Sequence, residues 1–202
     1  MNKNLIKVLS EEKLYPIIRQ KDAVKAEDIA FALIEGGIKV LEINVESGKI
    51  YDVISNVSKK ANVCAGGIIT TWQANAAFEA GATMFSSPIF QMNMVKISKN
   101  IGVPFIAGAT TASEAYVAWK SRIPLTKIFP TTALGGVRYI EDILRQMPFL
   151  KVMPMGNIKT DEISDYINAG AFAVGIGRDL CDEKKLDKIT DKTRKILEKL
   201  KG

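Results

Sequence analysis

Residues 35–44, Glu35-Gly36-Gly37-Ile38-Lys39-Val40-Leu41-Glu42-Ile43-Asn44, place a pair of glycines between a helix-like stretch and a short apolar run. Glycine just past a helix adopts the left-handed conformation that ends it at no Cβ cost. An apolar run without polar alternation suits a strand covered on both faces, as in a parallel sheet. The same passage recurs at Glu79-Ala80-Gly81-Ala82, Lys99-Asn100-Ile101-Gly102-Val103 and Asn168-Ala169-Gly170-Ala171. Its spacing of about 20–25 residues is that of a βα unit.

Extending the pattern predicts strands near 14–19, 38–44, 62–67, 82–87, 103–108, 124–129, 150–155 and 171–176. Helices are expected near 23–36, 48–60, 71–80, 90–101, 111–121, 136–146, 160–169 and 186–200. Eight strands alternating with eight helices, without a linker or a break in composition, point to a single (β/α)8 TIM barrel domain over 1–202. A doubly wound open sheet is the alternative that pattern alone leaves standing.

Composition narrows the chemistry. The 202 residues are 47% hydrophobic and 25% charged, an ordinary globular balance. The chain has no histidine, which removes histidine triads, histidine metal ligands and a histidine base. Proton transfer falls to Glu, Asp, Lys, Tyr or Cys. Cys64 and Cys181 have neither CxxC spacing nor a partner cluster, so no disulfide framework or zinc site is expected. The net charge of +6 gathers at 184–201, where Lys184, Lys185, Lys188, Lys192, Arg194, Lys195, Lys199 and Lys201 face Asp187, Asp191 and Glu198. Leu186, Ile189, Ile196, Leu197 and Leu200 run through that segment at helical spacing, the mark of an amphipathic helix with a solvated basic face rather than a nucleic-acid site. The beginning, MNKNLIKVLSEEK, is too polar for a secretory signal, and no apolar run reaches the roughly 18–20 residues of a membrane span. The expectation is a cytoplasmic protein with neither nucleic-acid nor membrane partners.

Barrels of this type do chemistry at the carboxyl ends of their strands, so polar residues inside or ending an apolar strand are the candidates. Lys127 lies between Thr126 and Ile128-Phe129-Pro130. A buried ammonium must find an anion or surrender a proton, and a freed amine can form a Schiff base with a carbonyl. A strand-end lysine that snorkels to water explains the same letters. Glu42, between Leu41 and Ile43, serves as ion-pair partner or as proton carrier. Arg19 follows the first apolar run, Thr70 and Thr71 the third, and Ser86-Ser87-Pro88 ends the fourth. Gly156-Asn157-Ile158 and Gly175-Ile176-Gly177-Arg178 put backbone N–H groups and a permanent cation where such barrels bind phosphate; a surface arginine is the plain alternative for Arg178.

Pro16-Ile17-Ile18-Arg19, Glu35-Gly36-Gly37, Leu41-Glu42-Ile43, Ala65-Gly66-Gly67, Ser87-Pro88, Lys127-Ile128-Phe129-Pro130 and Gly175-Ile176-Gly177 follow one another as in the KDPG/KHG aldolases, which the chain resembles over roughly 10–182. The resemblance implies a class I aldolase without metal or cofactor, usually a homotrimer, that cleaves a 2-keto-3-deoxy sugar acid, commonly 6-phosphorylated, to pyruvate and an aldehyde. It makes Lys127 the Schiff-base lysine and Glu42 the general acid/base. It assigns substrate binding to Arg19, Gly67, Thr70, Pro88, Phe129, Gly156, Asn157, Gly175, Gly177 and Arg178. Four places depart from the family pattern. Gly67 stands for a threonine, Glu46 for an arginine, Met155-Gly156-Asn157 for Thr-Gly-Gly, and Arg178 for a serine. The Lys127–Glu42 core is intact. Two other readings fit the loops: a sugar-acid or phosphate-binding relative without turnover, and a metal-free phosphosugar epimerase or isomerase.

Overall fold

A computed structural model describes residues 3–201; residues 1, 2 and 202 of the expected 1–202 domain lie outside the described residues. Eight parallel strands run β1 (Leu14–Ile18), β2 (Val40–Asn44), β3 (Asn62–Gly66), β4 (Met84–Ser86), β5 (Phe105–Ala109), β6 (Leu125–Ile128), β7 (Val152–Pro154) and β8 (Val174–Ile176). Their order is β7-β6-β5-β4-β3-β2-β1-β8. The Phe172 N–H donates to Val152 O at 2.9 Å, and Met155 bridges in parallel to Gly175, so β7 and β8 meet and the sheet closes. This closure decides for the barrel over the open sheet.

Helices α2 (Ala23–Glu35), α3 (Ile50–Val57), α4 (Thr71–Glu79), α5 (Met92–Ile101), α6 (Ala112–Lys120), α7 (Val137–Gln146), α8 (Ile163–Asn168) and α10 (Leu186–Lys201) alternate with the strands. Between the eighth strand and α10 stands a one-turn helix, α9 (Arg178–Cys181), and a 3-10 turn covers Thr132–Leu134; the sequence pattern anticipates neither. The first and third strands open where the apolar runs do, and the other six open one to three residues later. After Gly37, held at φ +106°, Ile38 and Lys39 complete the turn, and β2 begins only at Val40.

Period-two alternation sorts the strand residues into two layers. Leu14, Ile18, Leu41, Ile43, Val63, Phe85, Phe105, Ile128, Val152 and Ile176 face outward into the helix layer. Tyr15, Val40, Cys64, Met84, Ile106, Leu125, Met153 and Ala173 fill the barrel itself. Helix α10 lies on α2, where Thr190 Oγ1 donates to Ala32 O at 3.0 Å. A Cβ on Gly36 would come within 2.7 Å of Thr193 Cβ, so glycine is what lets the two helices approach. The buried face of α10 is Ile189, Thr190, Thr193 and Leu197, whereas Leu186 is exposed. Among the described residues no helix is long and apolar enough to cross a membrane.

An additional helix, α1 (Lys3–Glu12), precedes β1. Leu5 and Leu9 are buried in the same cluster as the barrel interior, so α1 plugs the amino end and chemistry is confined to the opposite mouth. The helix ends on Glu12, whose Oε1 accepts from the Lys39 N–H at 2.9 Å while Oε2 is buried without a partner. Burial pushes this carboxyl up to about 7, against the pull of that hydrogen bond. Between the unfolded carboxyl's value near 4.5 and about 7, the folded chain keeps a proton that the unfolded chain has released. The stability tied to Glu12 is therefore full below 4.5 and is lost as pH rises through 7, by at most about 3 kcal/mol. Glu12→Gln keeps the acceptor and removes the titration. Urea unfolding at pH 5 and pH 8 is expected to show a smaller stability difference for the variant than for the parent chain.

Candidate active site

The inward positions change character toward the carboxyl ends of the strands. Glu42 and Asn44 from β2, Gly66 from β3, Ser86 from β4, Gly108 from β5 and Lys127 from β6 replace the apolar filling below them. Lys127 and Glu42 are 5% and 1% exposed, and Nζ stands 3.7 Å from Oε1. Lys127 Nζ also donates to Ser86 Oγ at 2.6 Å, and Tyr15 OH donates to Glu42 Oε2 at 3.2 Å. The ammonium has found its anion inside the barrel, and the snorkelling arrangement does not occur. Burial, with the neighbouring Cys64 thiol and the Glu42 charge behind it, drives the Tyr15 phenol well above 10, so it stays a donor. Burial first and the Glu42 charge second likewise raise the Cys64 thiol well above its ordinary value, which leaves it protonated and unreactive.

Glycine makes room for this polar layer. A Cβ on Gly66 would collide with Glu42 Oε1 and Asn44 Oδ1, and one on Gly108 would strike Pro88 O. Above the layer opens a cavity of about 950 Å³ whose walls include Arg19, Glu42, Gly67, Pro88, Lys127, Phe129, Gly156, Asn157, Gly175, Gly177 and Arg178. These expected site residues come together at one mouth. Thr70 does not join them. It is the N-cap of α4, its Oγ1 accepting from the Gln73 N–H at 3.2 Å within a capping box, and it does not line the cavity. A helix start between β3 and α4 needs that hydroxyl more locally than the mouth does.

Three of the residues that depart from the family pattern, Glu46, Asn157 and Arg178, have side-chain partners at the mouth. Arg19 Nε donates to Glu46 Oε1 at 2.8 Å, so the cation after β1 is neutralised by the carboxylate after β2. Arg178 Nη2 donates to Asn157 Oδ1, tying the loop after β8 to the loop after β7. Asn157 sits at φ +57°, in the left-handed region that asparagine tolerates best after glycine. It therefore keeps the backbone a glycine would adopt and adds an acceptor for Arg178. Gly67, at φ +72°, has open space where a side chain would begin.

Sequence reasoning did not single out Tyr15, Asn44, Lys159 or Asp179, and it noted Ser86 without assigning it a place beside Lys127. The signal for Asn44 and Tyr15 was available. Asn44 lies two residues beyond Glu42 on one strand, and residues two apart share a face. Asp179 had no such signal, because its partners come from distant segments. Its carboxylate accepts from Thr160 N–H at 2.9 Å, Thr160 Oγ1 at 2.8 Å and Lys192 Nζ at 3.2 Å, and pairs with Lys159 Nζ at 3.2 Å. Among the described residues no three His, Cys, Asp or Glu side chains gather as a metal site.

A closed parallel barrel with a buried amine–carboxylate pair at its carboxyl-end mouth is the layout of a barrel enzyme that works through its own side chains. The family model for KDPG and KHG aldolase matches residues 5–196, and the chain belongs to that family, which makes it an enzyme of the aldehyde-lyase class. It is 30% identical over 187 residues to the 2-dehydro-3-deoxy-phosphogluconate aldolase of Haemophilus influenzae, covering 90% of this chain and 87% of that one. It is 27% identical over 199 residues to the KHG/KDPG aldolase of Escherichia coli K12, covering 95% and 93%. The fold matches that of the KDPG aldolase from Legionella pneumophila, solved with pyruvate captured as a covalent carbinolamine. The TM-score is 0.84 at 24% identity, over 95% of this chain and 97% of that one.

Asp179 offers a test of how the mouth is held together. Burial pushes its carboxyl up, but the hydrogen bonds from Thr160, Lys159 and Lys192 outweigh burial and hold it well below the usual carboxylate range. Its contribution is present above the unfolded value near 3.8 and is lost as pH falls toward the lower folded value. Asp179→Ala is expected to lower stability in urea by about 1–3 kcal/mol at pH 7. The penalty should be the same at pH 5 and should shrink as pH is lowered to about 2.

Proposed function

We propose that this chain is a class I aldolase that cleaves a 2-keto-3-deoxy sugar acid, 6-phosphorylated, to pyruvate and an aldehyde. Lys127 is the Schiff-base amine and Glu42 the proton carrier. The observation that carries the reading is the buried Lys127–Glu42–Ser86 cluster opening into the mouth cavity. Transfer of one ammonium proton to the Glu42 carboxylate frees the Lys127 lone pair to attack C2 of the 2-oxo acid. The proton that the nitrogen then sheds passes to the carbonyl oxygen to give the carbinolamine. Glu42 delivers the proton with which that oxygen leaves as water, and an iminium remains. The carboxylate then accepts the proton of the C4 hydroxyl, the C3–C4 bond breaks, and its electron pair passes into the iminium as an enamine while the aldehyde departs. Return of the proton to C3 and hydrolysis of the imine release pyruvate and restore the amine.

Local geometry supports this division of labour. Tyr15 occupies Oε2 of Glu42, which leaves Oε1 facing Lys127, and Ser86 fixes the position of Nζ. Gly156, Gly175, Gly177 and Arg178 bind the distal anionic end, with Asn157 orienting Arg178. Gly67, Pro88 and Phe129 wall the chamber in which the reacting carbons lie. Arg19 stands at the rim, paired with Glu46. The enzyme needs no cofactor, works in the cytoplasm and assembles as a homotrimer. Exposed apolar side chains after β3 and β4, Ile69, Trp72, Ile89 and Met92, support association with further copies.

Incubation with pyruvate and borohydride is expected to leave a reduced pyruvyl adduct on Lys127, read by peptide mass spectrometry. Lys127→Ala should abolish both trapping and cleavage. Glu42→Gln should lower kcat by about a hundredfold or more while still allowing slow trapping, in line with the usual weight of a positioned acid/base. An unmodified Lys127 in a protein that turns over would sink the proposal.

A further inference from the structure

A buried polar atom without a partner is costly, and folded chains keep few of them. Among the described residues four buried side-chain atoms have no hydrogen-bond partner: Glu12 Oε2, Asn44 Oδ1, Tyr51 OH and Thr193 Oγ1. Of these residues only Asn44 lines the mouth cavity. It is 9% exposed and stands two residues past Glu42 on the same face of β2, and both side chains lie over the bare Cα of Gly66. Carboxamide oxygen and nitrogen exchange places by a half-turn about the last torsion, so the group offers the cavity two N–H donors or one acceptor.

The rest of the mouth indicates which ligand group takes this amide. A 2-oxo acid carried on Lys127 places its carboxylate one bond from the carbon that bonds Nζ, within the polar layer. Arg19, the cation anticipated for that carboxylate, is 2.8 Å from Glu46 and largely exposed. The position anticipated to supply a hydroxyl is Gly67, beside which the space is empty. The Glu42 and Tyr15 oxygens are engaged with each other and with Lys127. The Asn44 carboxamide, whose oxygen has no protein partner and whose N–H groups a half-turn can bring to the same place, is the uncommitted buried polar group that remains on this wall.

We infer that Asn44 is a specificity-determining residue that receives the carboxylate of the 2-oxo acid, its amide N–H donating to a carboxylate oxygen. The inference rests on the reading of Lys127 as the Schiff-base amine. A neutral donor suits the place, because a cation beside Glu42 would compete with Lys127 for the same carboxylate. It also makes selection depend on the ligand's acid group rather than on its carbonyl.

Two carbonyl probes separate the roles: pyruvate, which bears the carboxylate, and propanal, which does not. Each is trapped on the intact chain with borohydride over a concentration series, and adduct on Lys127 is quantified. In Asn44→Leu the pyruvate concentration for half-maximal trapping is expected to rise at least tenfold, and in Asn44→Asp further, because an anion then faces an anion. Propanal trapping should stay within about twofold in both. Cleavage should lose through KM more than through kcat. Pyruvate dependence unchanged in folded variants overturns the inference, as does a parallel loss for both probes, which would make Asn44 a support for Lys127 rather than a carboxylate receptor. Asn44→Ala, which only removes atoms bordering the cavity, carries the test if the larger changes disturb folding. Loss of fold in all three variants assigns the amide to structure and overturns it too. Absence of any adduct in the parent chain with either probe removes the Schiff-base reading and this inference with it.

Discussion

An ammonium and a carboxylate held 3.7 Å apart inside a closed barrel form the constraint around which the upper half of this protein is arranged. Taking both charges out of water costs several kcal/mol per ion before their attraction is counted, so the pair persists only where further hydrogen bonds complete it. Ser86 meets Nζ and Tyr15 meets the second oxygen of Glu42. Gly66 and Gly108 give up their side chains so that the charged groups and the Pro88 backbone can fit. The apolar filling below, plugged by Leu5 and Leu9 of α1, prevents water from reaching the pair from the amino end. A single-sided opening follows from this arrangement. The interior can be solvated, and a ligand can arrive, only through the mouth.

The barrel was legible because its signals are local and repeated. Glycine after four of the helices, with apolar runs of strand length between, recurs often enough that eight units can be counted from the letters. What escaped depends on contacts between distant segments. Helix α1 carries a clear apolar face at Leu5 and Leu9, but its meaning as a plug needs the barrel to exist first. Thr70 followed an apolar run and so suggested the site, yet Gln73 three residues on completes a capping box that fixes the threonine locally. That four-residue spacing could have been read. In the polar layer, Lys127 and Glu42 stood out as charges among apolar neighbours. Ser86, Asn44 and Tyr15 are ordinary strand residues by composition, and they gain significance only from the face they share.

The mouth shows how a family pattern can change at several letters without losing coherence. Glu46 and Arg19 form one ion pair, and Asn157 and Arg178 one hydrogen-bonded pair. Glu46, Asn157 and Arg178 each have a partner at the mouth, whereas Gly67 leaves open space. Asn157 also retains a left-handed backbone, so the loop after β7 keeps its course while acquiring a side chain. Changes coupled in this way alter the charge presented to a ligand.

Position in the barrel separates these two behaviours. Residues of the polar layer project from strands whose register is fixed on both sides, and each is packed or hydrogen-bonded within the interior. A change there disturbs the charge balance of a dry site, where leaving one ion unpaired costs about 3–5 kcal/mol. Residues of the rim lie on loops, where Arg19 exchanges its partner with solvent at little cost and an ion pair is worth about 1 kcal/mol or less. In the proposed reaction, carbon–carbon cleavage therefore falls to the part of the molecule where a substitution costs most. Recognition of the rest of the substrate would fall to the loops, where a substitution costs least. Asn44 stands on the boundary: it is buried with the first group, yet its amide oxygen has no protein partner. A carboxamide there can turn its N–H groups toward the cavity, so its partner is sought in the ligand or in water rather than in the fold.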